Sequence, residues 1–442
     1  MSASVRQSLA RAGYSLLLRI AVPLYRLRLL WRGRREPLYA TAIGERFGRY
    51  REPFAPGAVW LHAVSLGETR AAAPLVDALR AARPGVRFVF THGTATGRAA
   101  GEALLRSGDR QVWLPWDTPG AVRRFLRSAI PAAGVLMETE IWPNLLAAAA
   151  REGVPVVLAN ARLSARSRRR GARVDTLLRP AFASLAAALA QTDDDAARLR
   201  DAGARDVSVV GNLKYDLAPD PQLLARGRTW REGIARGIVV AASTREGEEP
   251  ELLAAWRAIA APRPLLVIVP RHPQRFDAVA ELIANAGFTP SRRSAWQDDR
   301  PPHHAAECDV WLGDSMLEMP AWYALGDVAL LGGSFAPLGG QNLIEAAACG
   351  CPLVLGPHTF NFGAAAELAI AAGAAVRVAD IVAGVAAAVA LVSPAQADER
   401  ARRSEAALAF AGAHRGAAAR MAATILAIAD RSRARTAPGS AG

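Results

Sequence analysis

One stretch constrains this chain more than any other. Val328 to Leu331 is an apolar run. It passes through Gly332-Gly333 into Ser334-Phe335-Ala336-Pro337-Leu338-Gly339-Gly340-Gln341, then into Asn342-Leu343-Ile344-Glu345-Ala346-Ala347-Ala348. The pattern predicts a strand, a glycine-rich turn and an Ala-rich helix. Glycines let backbone approach a ligand closely, and the first N–H groups of a helix attract anions. Asn342 and Glu345 fall one helical turn apart on one face, where they suit ribose hydroxyls and a base edge while the N–H groups take phosphate. An ordinary strand–turn–helix of an α/β sheet reads the same way. The spacing matches neither the dinucleotide GxGxxG nor the GxxxxGK(S/T) phosphate loop, so both of those are disfavoured.

The same unit recurs along the chain. Val59 to Val64 reads as a strand ending in Ser65-Leu66-Gly67-Glu68, with a helix running on to Ala82. Val86 to Phe90, Val112 to Leu114, Ala132 to Met137 and Val154 to Leu158 are further strands, and 184–190 and 206–210 close this half. The cycle restarts with Ile238 to Ala242, Leu265 to Val269, Asp309 to Leu312, the opening strand, and Cys351 to Leu355 as the last strand; 363–430 reads as Ala-rich helices. Strands alternating with helices argue parallel sheets with right-handed crossovers, whose ligands lie outside the carboxyl ends of the strands. The expected organisation is α/β: two Rossmann-like domains, 36–216 and 237–430, facing a cleft and joined by a linker at 217–236. A helix at 1–35 precedes them and a disordered polar tail at 431–442 follows. By analogy of fold this suggests a GT-B glycosyltransferase.

The chain of 442 residues carries a net charge of +14, which points to an acidic partner: nucleic acid, anionic lipid or a phosphorylated substrate. Nucleic acid is disfavoured, because the arginines are not interleaved with aromatics and no binding motif occurs. Cys308, Cys349 and Cys351 form neither a disulfide framework nor a metal cluster, and a reducing compartment is expected. Residues 7–31 alternate apolar runs with Arg11, Arg19, Arg26 and Arg28. A basic amphipathic helix lying in an anionic membrane surface fits this pattern, with Tyr25 and Trp31 at the interface. A snorkelled span and a buried helix of the body are the alternatives. Arg32, Arg34 and Arg35 then keep the downstream body cytoplasmic.

Several groups at strand ends can carry chemistry. Glu68 suits a general base acting on a hydroxyl, or an acid complementing the N-terminus of its own helix. In Glu138-Thr139-Glu140-Ile141-Trp142-Pro143-Asn144, Glu138 is the expected site residue and Glu140 a cap of the helix opening at Pro143. Arg162 and Arg166 suit acidic groups of an acceptor or a solvated face. Lys214 falls where the halves join and can neutralise a phosphate or carboxylate. Arg271, at a strand end, matches phosphate oxygens, and His272 suits a local cap. Asp193-Asp194-Asp195 reads as a helix N-terminus rather than a metal motif.

Taken together, the runs SLGETR at 65, ETEIWPN at 138, ARLSARS at 161, GNLKYD at 211, STREGEE at 243, PRHPQRF at 270, GGQNLIEAAA at 339 and GPHTFNF at 356 carry a resemblance. In this order and spacing the chain resembles the 3-deoxy-D-manno-octulosonic acid (Kdo) transferases of lipopolysaccharide biosynthesis, from near its N-terminus to about Phe362. The resemblance implies a GT-B enzyme associated through its N-terminus with the cytoplasmic face of the inner membrane. It implies inverting transfer of Kdo from CMP-Kdo to the lipid A precursor lipid IVA, with no tightly bound metal and no other cofactor. Glu68 matches the family's general base, and Glu138 and Lys214 its transition-state support. Pro270, Arg271, Met316, Leu317, Glu318, Asn342, Leu343, Ile344 and Glu345 match the CMP site. One departure stands out: Leu317 occupies the place of a family glycine. A positive φ there would strain a leucine, whereas a helix start would not. His92 also interrupts a threonine-rich stretch. The enzymatic rival is a GT-B transferase using a nucleotide-diphosphate donor.

Overall fold

The computed structural model describes residues 2–297 and 299–436. The chain divides into two units, one made of the chain up to Asp216 together with the chain from Arg415, the other of Leu217–His414. In the first unit the long helix α1 (Ala3–Gly33) precedes β1 (Val59–His62), α2 (Leu66–Ala82), β2 (Phe88–His92), α3 (Ala95–Gly101), β3 (Arg110–Trp113), α4 (Pro119–Ala129) and β4 (Ala133–Met137). Then come α5 (Pro143–Arg151), β5 (Val156–Ala161), α6 (Ala165–Ala172), α7 (Asp175–Ala183), β6 (Ala187–Ala190), α8 (Asp193–Ala202) and β7 (Val207–Val209). The strands form one parallel sheet in the order β3-β2-β1-β4-β5-β6-β7.

Helices cover both faces, so the central strands are apolar at every position rather than at alternate ones. Trp60 packs into one apolar layer with Phe125, Leu136 and Leu145. Its neighbours Val59 and Leu61 pack into the other with Leu75, Phe88 and Met137. That second layer also receives Met421, Ile425 and Ile428.

Those three residues belong to the last helix of the chain, and they correct two sequence expectations. The second domain was expected to run to 430, but it ends at His414, and the last helix lies on the first sheet. Asp216 fixes the return by accepting the backbone N–H groups of Gly416 and, at 2.7 Å, Ala418. The polar tail expected from Arg431 is helical through Thr436; the rest of that expectation, 437–442, lies outside the described residues. Arginines in the last turn favour continuation, because cations there complement the helix dipole.

α1 begins with Ser2, whose hydroxyl accepts the Val5 N–H. Its inner face is built on Tyr14, Ser15, Tyr25 and Leu29. The Tyr14 hydroxyl donates to Asp117 Oδ2 at 3.0 Å, and Ser15 Oγ to Asn144 Oδ1 at 3.0 Å. Tyr25 was expected at a membrane interface. Instead its ring stacks on Trp116 with centroids 3.8 Å apart, and its hydroxyl accepts from the buried Arg46 guanidinium. The residue therefore lies on the helix face opposite to Leu16, Ile20, Leu24 and Leu27, which are exposed.

The second unit contains α9 (Pro221–Arg231), β8 (Ile238–Thr244), α10 (Glu248–Arg257), β9 (Leu265–Pro270), α11 (Phe276–Asn285), β10 (Pro290–Arg292), β11 (Val310–Leu312) and α12 (Met319–Leu325). It continues with β12 (Val328–Leu331), α13 (Leu343–Ala348), β13 (Leu353–Leu355), α14 (Gly363–Ala371), β14 (Ala375–Arg377), α15 (Ile381–Leu391) and α16 (Ala397–Ala413); α17 (Ala417–Thr436) is the returning helix. The sheet is again parallel, in the order β10-β11-β9-β8-β12-β13-β14. The stretch expected as a linker is mostly α9. Its Trp230 is fully buried against Trp296 and Trp322, with the indole N–H donated to the Asp299 carbonyl. β14, in a region expected to be helical throughout, is a three-residue edge strand with no period long enough to show in the sequence.

Candidate active site

In an open parallel sheet, ligands gather where the strand order reverses. In the first unit that point lies between β1 and β4, the two central strands that pair directly. Glu68 follows β1 and Glu138 follows β4. Ser65 caps α2 by accepting the Glu68 N–H at 3.4 Å. In return Glu68 Oε1 accepts the Ser65 hydroxyl at 3.2 Å and Oε2 accepts the Val64 N–H at 2.7 Å. This is a capping-box arrangement, so Glu68 does complement its own helix. It is also half-buried. Burial lifts its carboxyl above the usual carboxylate range, the Val64 N–H opposes that, Glu138 adds to it, and the Ser65 hydroxyl opposes it.

Glu138 adopts φ +58°, a left-handed conformation that costs a non-glycine residue about 1–2 kcal/mol. Asn160, at the end of the adjoining β5, adopts φ +50° and is fully buried, with its Oδ1 accepting the Leu213 N–H at 3.1 Å. That bond anchors the short turn carrying Lys214 beside β5. Burial lowers the Lys214 ammonium from its ordinary value, Glu138 opposes this, and Arg162 adds to it. The geometry thus groups Glu68, Glu138 and Lys214 at one strand edge.

Glu140, expected to cap α5, does not. Asp117, in the loop after β3, takes that part: its Oδ1 accepts the Leu145 N–H at 2.7 Å and its Oδ2 the Asn144 N–H at 3.2 Å. Glu140 turns back toward the strand ends instead. Its Oε2 accepts the Trp142 indole N–H at 2.9 Å and lies 4.0 Å from His62 Nε2.

In the second unit the order reverses between β8 and β12. The glycine-rich turn after β12 was expected to let backbone approach a ligand closely. Three of its N–H groups are committed instead to Glu248, at the start of α10. This carboxylate is nearly fully buried and accepts from Gly333 N at 2.8 Å, Arg245 N at 2.8 Å, Phe335 N at 3.2 Å and Ala336 N at 3.3 Å. Gly333 itself has φ +70°, which favours glycine. Asn342 caps the six-residue α13, its Oδ1 accepting the Ile344 N–H at 3.2 Å, and Leu343 and Ile344 are buried. Of the matched segment, Asn342 and Glu345 remain partly exposed.

Cationic groups stand at the ends of β8 and β9. Pro270 is buried and ends β9, and Arg271 projects beyond it, exposed. Burial lowers His272 from its ordinary value, and Arg245, Arg271 and Arg275 lower it further. Arg275 is bound by both oxygens of the fully buried Glu249, at 2.5 and 3.0 Å. Arg245 and Arg271 form no ion pair among the described residues. After β11, Leu317 has φ +69° and a side chain 64% exposed, so the positive φ for which the family glycine is suited is present here. Met316 is also exposed. Glu318 faces inward, accepting from Arg226 at 2.9 Å, from Arg293 at 2.9 and 3.0 Å, and from Ser315.

Other sequence candidates resolve simply. Asp195 accepts the Leu163 N–H at 2.9 Å and Thr192 caps α8, so the aspartate run is a helix N-terminus. Arg162 and Arg166 are exposed. His92 is buried and holds the Ala63 carbonyl at 3.0 Å. Among the described residues no three His, Cys, Asp or Glu side chains are grouped to hold a metal ion. Sequence reasoning missed Glu248 and Glu249; adjacent acids opening a helix after a strand end were the available signal.

Residues 41–217 match the family model described as 3-deoxy-D-manno-octulosonic-acid transferase (kdotransferase). The chain is 49% identical over 429 residues to a 3-deoxy-D-manno-octulosonic acid transferase of Bordetella pertussis, an alignment covering 93% of this chain and 98% of that protein. It is 35% identical over 359 residues to the transferase of the same name from Haemophilus influenzae, covering 79% and 82%. Among solved structures, a glycosyltransferase from Rickettsia africae superposes with a TM-score of 0.55 over 86% of this chain and 99% of that one; at 12% identity this shows the two-domain GT-B fold alone. The chain belongs to the 3-deoxy-D-manno-octulosonic acid transferase family of glycosyltransferases.

Proposed function

We propose that this protein transfers Kdo from CMP-Kdo to lipid IVA with inversion at the anomeric carbon, using Glu68 as the general base. The observation that carries the reading is the place of Glu68: in the first turn of α2 after β1, at the reversal of strand order, with Glu138 beside it after β4. A carboxyl lifted by burial is, once ionised, a stronger base than an exposed one. Glu68 takes the proton of the acceptor's primary hydroxyl as the oxygen attacks the anomeric carbon. The bond from that carbon to the phosphate oxygen breaks, and CMP leaves with the electron pair. Lys214, held beside Glu138, offsets negative charge in the first unit. Arg271, with no carboxylate partner among the described residues, suits the phosphate, and partly exposed Asn342 and Glu345 suit the nucleoside.

The proposed location is the cytoplasmic face of the inner membrane. Leu9, Leu16, Ile20, Leu24 and Leu27 are exposed along one face of α1, and Arg19, Arg26 and Arg28 border it. Such a face matches a helix lying in an anionic lipid surface, and no single helix among the described residues is long and apolar enough to cross a membrane. The test is incubation of the protein with lipid IVA and freshly made CMP-Kdo, with products read by mass spectrometry and CMP or UDP added as competitors. The reading expects a Kdo-bearing product and inhibition by CMP. Inhibition by UDP alone, with no Kdo product, would replace the donor.

A further inference from the structure

β1 ends in His62, which is fully buried. Its Nδ1 lies 2.9 Å from the Thr91 carbonyl oxygen and 3.0 Å from Thr91 Oγ1. A carbonyl only accepts, so Nδ1 carries the ring hydrogen, and the neutral ring presents a bare lone pair at Nε2. That nitrogen has no hydrogen-bond partner among the described residues and faces Glu140 Oε2 at 4.0 Å. An ionised Glu140 would set lone pair against lone pair beside a fully buried ring. A doubly protonated ring would be a cation at a fully buried position, and burial pushes His62 down to about 3. An un-ionised carboxyl resolves the contact, because its O–H can point at Nε2. A shift of about 1 Å brings the pair to hydrogen-bond length.

The surroundings favour the same state. Glu140 is faced by His62 on β1, with His92 of β2 behind it, by Glu68 from the first turn of α2, and by Glu138 from its own loop. Lys214 acts on Glu138, and Arg162 on Lys214. The Trp142 indole donates to Glu140, and no other donor to it occurs among the described residues. Burial, followed by Glu68, pushes Glu140 up to about 7, with Glu138 a smaller contributor.

We propose that Glu140 is a positioning residue, held by His62 as the neutral acid, which limits the negative charge around Glu68 so that an anionic donor and acceptor can approach the base. This rests on the reading of Glu68 as the base. Once Glu140 ionises, three carboxylates share the strand edge and repel a substrate bearing carboxylate and phosphate groups.

The test begins without substrate. Infrared difference spectra of the full-length protein should contain a protonated-carboxyl C=O band that titrates near about 7 and is missing in Glu140→Gln. Nitrogen NMR of labelled protein should find His62 protonated at Nδ1 and bare at Nε2. With substrate, KM for CMP-Kdo should rise about threefold to tenfold as pH climbs past the titration in wild type, and stay flat in Glu140→Gln. A proton on Nε2, the absence of that band from wild-type protein, or the same KM profile in both proteins would overturn the proposal. The spectra are independent of catalysis. If they hold while Glu68→Gln transfers Kdo normally, the identity of the base fails and the state of Glu140 does not.

Discussion

Glu248 reaches from the start of α10 to the Gly333 amide at 2.8 Å, and with the same carboxylate holds the amides of Arg245, Phe335 and Ala336. One buried acid therefore shapes both loops at the reversal of the second sheet. Glu248→Ala leaves these donors unpaired in the interior, which costs roughly 2–4 kcal/mol. Thermal unfolding should show that loss, and calorimetry should show weakened CMP binding. Wild-type stability in the variant would mean the loops hold their shape without it.

The inner face of α1 gives a second prediction. Tyr14 and Ser15 reach Asp117 and Asn144, which also order the start of α5. Tyr14→Phe deletes one hydrogen bond to a carboxylate and should cost about 1–2 kcal/mol. Hydrogen exchange should rise along α1 more than in β1 or β4. Unaltered exchange in α1 would place its anchoring elsewhere.

Leu317 gives a third. At φ +69°, with an exposed side chain, it has little packing to lose. Leu317→Gly relieves strain and adds unfolded-state entropy, so stability should change by less than about 1 kcal/mol. Leu317→Ile places a β-branched side chain at positive φ and should cost about 1–2 kcal/mol relative to leucine. Equal melting temperatures for the two variants would contradict the strained geometry.

The pH dependence has a definite sign. Glu68 must be ionised to act, and its pKa lies above the usual range, so activity falls as pH drops through that raised value. Glu138→Gln removes a neighbouring charge and should move this limb to lower pH while reducing kcat. Stability carries a separate signature from Glu140. Between 4.5 and about 7 the unfolded chain has released this proton and the folded chain keeps it. The unfolded state binds fewer protons there, so this contribution to stability declines as pH rises. Denaturant titrations across the window should lose that slope in Glu140→Gln.

Much of this was legible in the sequence. Continuous apolar runs such as Val59 to Leu61 and Leu265 to Val269 announce strands buried on both faces, and their alternation with helices gives the parallel sheets. Glu68, Glu138 and Lys214 were readable because each closes a strand or the turn beside one. What stayed hidden depends on long-range partners. Nothing local marks α17 as belonging to the first sheet, because Met421 and Ile425 find β1 and β4 only after the second unit has been traversed. Glu140 looked like a cap because Asp117, 27 residues before Asn144, supplies that bond instead. The commitment of the glycine-rich turn to Glu248 was hidden because that carboxylate approaches from 85 residues away. The left-handed backbone at Glu138 and Ser243 carries no residue signal, since neither is glycine or asparagine. Such strain persists where surrounding structure enforces it, and it often marks functional sites.

The most direct measurement is single-turnover transfer from CMP-Kdo to lipid IVA by wild type and Glu68→Gln, with calorimetry confirming that both bind CMP alike. The account predicts a Kdo–lipid product from wild type and a rate lower by about 10²–10⁴-fold in the variant. Transfer at equal rates by both proteins would contradict it.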